Sequence, residues 1–342
     1  MLFRNVYGLD LGTYEIKVYD KKQDLIWKEK SVIAIKDKKY IFATGDEAYA
    51  MFEKAPEDIQ VVFPMQSGVI ARFDDMQYLL ETLLKKERPF SRGAEYLVAV
   101  PTDVTEVEKK AFYDLVVHSS ARAKSVRIIE RGLADAIGAG IDVCETKGAF
   151  VVNIGGGTTE LSVLASGGLV LNRLLKIGGE QFDQSIETLV RHNKDFLIGR
   201  LTAESLRTRF GIFSEDGAAA LKVSGRNLVN GVPQYQDIPI SFVRAALKEP
   251  LESCVDAIRS MLERTPPDVR KNIYQTGIYL TGGLANLRGL LNYLEGSIGL
   301  PVHCVPDPEL SAVKGLQLIA QDKQQYKKLT YSMLDEDYRW LR

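Results

Sequence analysis

Two short strings carry the residues best suited to chemistry. Asp10-Leu11-Gly12-Thr13 stands near the start and Gly155-Gly156-Gly157-Thr158 stands midway, each directly after an apolar, strand-like run. A glycine turn presents backbone N–H groups with no side chain in front of them. That is a concavity for an anion, and a threonine hydroxyl adds a donor. An acid just ahead of such a turn suits a different task, holding Mg²⁺ through its water shell. Either string alone reads more simply as a structural hairpin turn. The pair, with Leu280-Thr281-Gly282-Gly283 following in order, points to two phosphate loops facing one nucleotide cleft. No GxxxxGK(S/T) string occurs, so the loops are not Walker A. They are not a Rossmann fingerprint either, because that motif opens a helix rather than a hairpin.

The elements that must position these loops repeat. Gly8-Leu9-Asp10-Leu11-Gly12-Thr13 is followed by alternating Ile16 and Val18, and Asn153-Ile154-Gly155-Gly156-Gly157-Thr158-Thr159-Glu160 by alternating Leu161 and Val163. Both read as strand, glycine-rich turn, strand, with the second turn two residues longer, and the echo suggests a duplicated α/β unit. Around it, strand and helix patterns alternate along the chain. Residues 32–35 and 40–42 read as a hairpin and 96–100 as a buried strand. Thr105 and Glu108 have capping-box spacing at the start of a helix whose apolar stripe is Val107, Ala111, Phe112 and Leu115. Residues 181–191 and 287–295 read as helices. Residues 243–264 do too, except that Pro250 is expected to end one helix or start another.

Composition removes several alternatives. Lys and Arg number 44 against 45 Asp and Glu, a formal charge of −1. Binding nucleic acid through a basic surface needs a surplus of cations, so no nucleic-acid partner is expected. Cys144, Cys254 and Cys304 are too scattered for a disulfide framework or a metal knuckle, and the three histidines share no ligand spacing. No run approaches the roughly 20 apolar residues of a membrane span, and residues 1–5 lead into a strand rather than a leader. A reducing, cytoplasmic setting is expected.

The chain resembles the actin and heat-shock-chaperone ATPase superfamily, and within it the bacterial rod-shape-determining MreB/Mbl group. The resemblance is carried by the strings above and by Pro64-Met65, Gly68-Val69-Ile70-Ala71, Ala136-Ile137-Gly138-Ala139-Gly140 and Ile177-Gly178-Gly179. It continues through Thr202-Ala203-Glu204, Val223-Ser224-Gly225-Arg226-Asn227-Leu228, Leu262-Glu263-Arg264-Thr265-Pro266-Pro267 and Gly277-Ile278-Tyr279-Leu280-Thr281-Gly282-Gly283. It implies an α/β, actin-like ATPase fold of two RNase H-like domains, each with a smaller subdomain, around a nucleotide cleft. The first would span 1–143, with a small subdomain at 31–75, and be completed by a C-terminal helix at 308–342. The second would span 144–307, with a small subdomain at 181–242. ATP and Mg²⁺ are the implied cofactors. Asp10 would organise the metal with Asn153 through water, Gly12 and Thr13 would contact phosphate, Gly155 to Thr158 would form the second phosphate loop, and Tyr14 would belong to the same nucleotide site. Glu204 and Arg207 would lie near ribose and base, with Gly282, Gly283 and Leu284 behind the adenosine. Without the resemblance, Glu204 and Arg207 read as a solvated helix face.

Three departures fall on the chemistry. Where the family has two glutamates and a proline, this chain has Glu130-Arg131-Gly132, so Arg131 occupies the position of the carboxylate expected to orient the attacking water. Arginine accepts no proton. Glu130 is the remaining carboxylate, but one residue along a helix turns a side chain by about 100°. Arg131 has two readings: an i,i+4 pair with Asp135, worth about 0.2–0.5 kcal/mol, or contact with phosphate. Asn153 replaces an aspartate and should weaken Mg²⁺, and Leu284 replaces a glycine beside the base. The resemblance thus implies a shape-determining filament, slow in ATP hydrolysis at most, at the inner face of the cytoplasmic membrane. It would be a homopolymer or a copolymer with paralogues, working with cell-elongation membrane proteins in cell-wall synthesis. The alternatives are a non-hydrolysing partner or regulator of a paralogous filament, and a small-molecule kinase of the same superfold. Membrane contact is expected at Lys85-Lys86-Glu87-Arg88-Pro89-Phe90-Ser91-Arg92 and Met1-Leu2-Phe3. Tyr338, Trp340 and Leu341 are expected to pack on the body or dock a partner.

Overall fold

A computed structural model describes residues 5–87, 93–120, 122–212 and 220–334. Each half is built on a five-stranded sheet of the same topology. In the first, Val6–Leu11, Glu15–Asp20 and Leu25–Lys30 run as an antiparallel meander, and Glu95–Val100 and Ser125–Glu130 add in parallel beyond Val6–Leu11. In the second, Ala149–Ile154, Thr159–Ala165 and Gly168–Leu175 form the meander, and Ile278–Thr281 and Val302–Cys304 the parallel side. The duplicated unit is therefore real. Its two hairpins are equal in length, however, not two residues apart. Leu11 pairs with Ile16 and Ile154 with Thr159, so Asp10 sits opposite Lys17 as Asn153 sits opposite Glu160. Glycine content lengthened the second turn to the eye, whereas the pairing register sets its true length.

Strand Val6–Leu11 is buried at every position because its sheet is covered on both faces. On one side Leu9, Leu11 and Val98 meet Met76, Leu80 and Phe112 of the helices Phe73–Glu87 and Glu106–Val117. On the other side lie the helices Arg131–Gly138 and Ser311–Gln321. Their core also takes Val151 and Leu164 from the second half, which makes this helix pair the shared floor between the halves. The two helices cross almost backbone to backbone. A Cβ on Gly138 would stand 1.9 Å from the Ser311 carbonyl oxygen, and one on Gly315 2.0 Å from that of Ala134. Smaller three-stranded sheets project from each half: Ile33–Lys36 between Tyr40–Thr44 and Ile59–Val62, and Ala220–Asn227 between Phe196–Leu197 and Pro233–Pro239.

Several local expectations shift. The capping box forms, with Glu108 N–H on the Thr105 hydroxyl and the Glu108 carboxylate on Thr105 N–H. Val107 in its first turn nevertheless faces solvent, and Phe112, Tyr113, Leu115 and Val116 make the buried stripe. Pro250 neither ends nor starts a helix. Ile240–Arg264 runs through it, because proline forfeits only the bond to the Ala246 carbonyl while Leu247, Leu251, Cys254 and Val255 keep the same face buried. The helix expected at 287–295 is Leu290–Ile298. A 3₁₀ turn at Gly283–Asn286 and the left-handed Gly289 occupy the chain before it. The C-terminal helix expected to reach 342 stops at Gln321. Residues 322–334 then return along the sheet edge, where Tyr331 pairs with Ile128. Among the described residues no helix is long and apolar enough to cross a membrane.

Candidate functional site

The two glycine turns meet. Each is closed by the same bond, Gly12 N–H to Glu15 O at 3.1 Å and Gly155 N–H to Thr158 O at 2.8 Å. A Cβ on Gly156 would lie 2.6 Å from Tyr14 Cβ, and one on Gly157 2.8 Å from the Thr13 side chain, so only glycine allows this approach. Thr13 and Thr158 are both buried, and the Thr13 hydroxyl accepts from Gly68 N–H at 3.0 Å. The helix Gly179–Lys194 starts against the second turn, with Glu180 N–H on Gly156 O at 2.7 Å. Gly282, at φ +86°, closes on Ile154 O and Asn153 Oδ1, where a side chain would collide at 2.4–2.6 Å. The cleft between the turns, a cavity of about 90 Å³, is lined by Asp10, Gly12, Thr13, Gly155 to Thr158, Gly282 and Gly283. Next to it lies a chamber of about 260 Å³ lined by Tyr14, Glu204, Arg207 and Leu284, and both share Tyr14, Gly156 and Gly283. The expected binding residues thus come to one place from both halves.

Arg131 stands at the charged end of the smaller cavity. Its helix follows the strand Ser125–Glu130 with no loop between, which fixes the side chain at the cleft floor. The guanidinium donates to Asp10 Oδ1 through Nε at 3.1 Å, to Glu160 Oε1 through Nη1 at 2.5 Å and to Leu11 O through Nη2 at 3.1 Å. The i,i+4 pair with Asp135 does not form. Asp135 Oδ2 instead accepts from Asn153 Nδ2 at 2.7 Å. Two carboxylates prevail over one because they lie in opposite halves and leave the guanidinium bridged, with Glu160 further held by Thr102 N–H and Oγ1. Burial works against the Arg131 charge, but Glu160 and Asp10 outweigh it and its pKa is raised. Burial pushes the Asp135 carboxyl up to about 8, against the Asn153 hydrogen bond and with Glu160 and Asp10 adding, so it is neutral at pH 7.

This donor set does not fit a hydrated divalent ion. Both oxygens of Asp10 already face cations, Arg131 and, at 3.6 Å, Lys17. Asn153 is neutral, and its neighbour Asp135 is protonated. Among the described residues no group of three or more His, Cys, Asp or Glu side chains could hold a metal. The implied metal role of Asp10 and Asn153 is therefore not supported by their surroundings.

Glu130 looks elsewhere. Its Oε1 accepts from the Tyr331 hydroxyl at 2.8 Å and lies 3.6 Å from Lys109 Nζ, on the side of the C-terminal segment rather than the cleft. In the larger chamber, Glu204 is bridged to the first half by the hydroxyls of Tyr14 and Tyr49, each at 2.8 Å. Burial foremost raises both phenols, Tyr49 to about 12, so each is a neutral donor. Arg207, read from sequence as solvated or base-contacting, is buried and bidentate on Asp183 at 2.6 and 3.1 Å. Glu53 caps the helix Arg200–Phe210 by accepting from Arg200 N–H at 2.5 Å and Leu201 N–H at 3.3 Å. Leu284 is buried and lines the chamber without filling it. Sequence reasoning gave no role to Lys17, Tyr49, Asp183 or Glu160. Only Glu160 carried a signal, as the position in the second hairpin that answers to Lys17. Of the expected membrane and tail contacts, residues 1–3, 88–92 and 335–342 lie outside the described residues. Tyr331 and Met333 pack on the first half.

Comparison with known proteins gives one consistent result. A family model for MreB/Mbl protein matches residues 4–328. The chain is 37% identical over 323 residues to the cell shape-determining protein MreB of Escherichia coli (strain K12), covering 92% of each. It is 32% identical over 336 residues to Mbl of Bacillus subtilis (strain 168), covering 96% of this chain and all of that one. Among solved structures, MreB5 of Spiroplasma citri bound to AMPPNP superposes with a TM-score of 0.90 at 29% identity, covering 96% of this chain and 99% of that one. The MamK double helical filament, at 19% identity and a TM-score of 0.77, shares the fold.

Proposed function

The chain belongs to the MreB/Mbl family of actin-like, cell shape-determining proteins, and from that premise we propose a cytoskeletal filament protein whose cleft takes ATP or ADP and hydrolyses ATP very slowly or not at all. The reading is carried by the two glycine turns that close one phosphate-sized cavity from opposite halves and open it to a nucleoside-sized chamber. MreB5 of Spiroplasma citri, bound to AMPPNP in one structure and to ADP in another, supports it. Gly12, Thr13 and Gly155 to Thr158 would hold the phosphates, and Tyr14, Glu204, Gly283 and Leu284 the nucleoside. Slow hydrolysis follows from the two candidate positions. Arg131 cannot act as a base, and Glu130 is engaged by Tyr331 and Lys109. The domain division at residues 143/144, head-to-tail self-association and work on cell-wall synthesis at the inner face of the membrane belong to the same reading. Flotation on anionic liposomes tests the last.

Sedimentation with electron microscopy, paired with phosphate release, tests the core of it. Filaments are expected, with phosphate release near background and unaltered by Glu130→Gln. Brisk release abolished by Glu130→Gln or by Arg131→Ala overturns the slow-hydrolysis reading, and a chain that stays monomeric overturns the filament reading. The engaged Arg131 also favours a second reading, a non-hydrolysing partner of a paralogous filament. Polymers that ignore nucleotide but require a paralogue would select it.

A further inference from the structure

We propose that Arg131 takes the place of the divalent cation in this cleft: its guanidinium ties Asp10 in one half to Glu160 in the other and faces the phosphate cavity, so nucleotide binds without a metal ion. The inference rests on the nucleotide reading above and specifies how that site is charged.

Charge balance comes first. Asp10 and Glu160 are two buried anions, and Arg131 and Lys17 answer them with two cations at 3.1, 2.5 and 3.6 Å. The cluster is neutral before any ligand arrives. A divalent ion entering beside Asp10 would meet the guanidinium at close range in a poorly screened site, and would have to displace it to reach the carboxylate. The other acidic side chains lining the cavity are already engaged: Asp135 accepts from Asn153, Glu15 pairs with Lys30, and Glu309 faces Lys28.

Geometry comes second. A metal ion in such a cleft would do two things, hold the halves together and present positive charge to phosphate. Arg131 already does the first, because its partners are 121 residues before it and 29 after it, one in each sheet. It is placed for the second. Its three contacts use one N–H on each nitrogen, and a guanidinium has five, so two N–H groups remain on a side chain that lines the phosphate cavity. Lys17 lines the same cavity. Planar guanidinium donors match phosphate oxygens well and, unlike a metal, cannot be chelated away.

Titration calorimetry with ATP and with ADP on the full chain, in Mg²⁺ and in excess EDTA, tests this directly. Equal affinity in both buffers, within about threefold, is expected. Binding in Mg²⁺ that falls tenfold or more in EDTA overturns the inference and leaves the nucleotide reading standing. Absence of binding in both buffers overturns the two together. Arg131→Gln, which leaves Asp10 and Glu160 without their shared cation, is expected to gain metal dependence and to broaden the Mn²⁺ electron paramagnetic resonance signal where the native chain does not. Arg131→Lys is expected to keep metal-independent binding. A structural ion pair alone would leave metal dependence unchanged in all three proteins. Should Arg131→Gln not fold, the native chain in the two buffers still separates metal-free from metal-dependent binding.

Discussion

The hydroxyl of Tyr14 donates to Oε1 of Glu204 at 2.8 Å across 190 residues of sequence, and Tyr49 donates to the other oxygen of the same carboxylate. One acid in the second half is thereby bridged to two phenols in the first, beside the chamber proposed for the nucleoside. Lys30 lies 4.0 Å over the Tyr14 ring and 2.6 Å from Glu15, which holds the first phenol in place. With Glu53 capping the helix that carries Glu204, the cleft is latched at its mouth as well as at its floor.

Removing both hydroxyls should loosen that mouth. A hydrogen bond to a charged group contributes about 1.5–3 kcal/mol, part of which water restores to Glu204. Tyr14→Phe with Tyr49→Phe is therefore expected to speed release of a bound fluorescent adenine nucleotide about tenfold or more. Each single change should have a smaller effect. Stopped-flow displacement measures it, and an unchanged release rate would show that the latch does not gate the chamber.

Asp135 makes stability depend on pH in a stated direction. Its folded carboxyl holds a proton up to about pH 8, whereas the unfolded carboxyl loses it near the usual 3.8. The folded state binds more protons between those values, so this contribution to stability is complete below about pH 4 and is lost as pH rises toward 8. Glu160, Asp10, Arg131 and Asn153 all face the group. Asp135→Asn keeps an acceptor for Asn153 and removes the titration. It is expected to raise Tm by several degrees near pH 8 and by little near pH 4. Calorimetric scans of both proteins across that range check it, and parallel Tm curves would refute the assignment.

The crossing of the two floor helices gives a steric prediction with an internal control. A methyl at Gly315 meets a backbone carbonyl at 2.0 Å, and carbonyls within helices cannot step aside. Gly315→Ala should cost about 1–3 kcal/mol or more by overpacking and reduce soluble yield. Gly296, inside the helix Leu290–Ile298, has open space around its added methyl. Gly296→Ala should stabilise by up to about 1 kcal/mol, as helix propensity alone would have it. Denaturant midpoints separate the two cases, and equal shifts in one direction would mean the helix crossing is looser than described.

Much of the fold was legible because its signals are local. The Thr105 and Glu108 capping box depends on three residues of spacing, and the alternation after each glycine turn depends on two. Hairpin length was not legible by counting glycines, since the partners of Asp10 and Asn153 are chosen by register. Pro250 misled because local backbone chemistry argued for a break, while burial of the residues around it argued for continuity and won.

By itself the sequence determined that two like α/β units each offer a glycine turn, that these belong to one actin-like family, and that an arginine stands where the resemblance implies a hydrolytic carboxylate. Only the tertiary structure decided what that arginine holds. Sequence spacing proposed Asp135, one helical turn away and worth a few tenths of a kcal/mol in water. The folded chain assigned Asp10 and Glu160, because burial strengthens charge pairing and penalises every unpaired carboxylate. Which charges become neighbours in that dry space depends on how two distant sheets meet, and no stretch of local sequence records it.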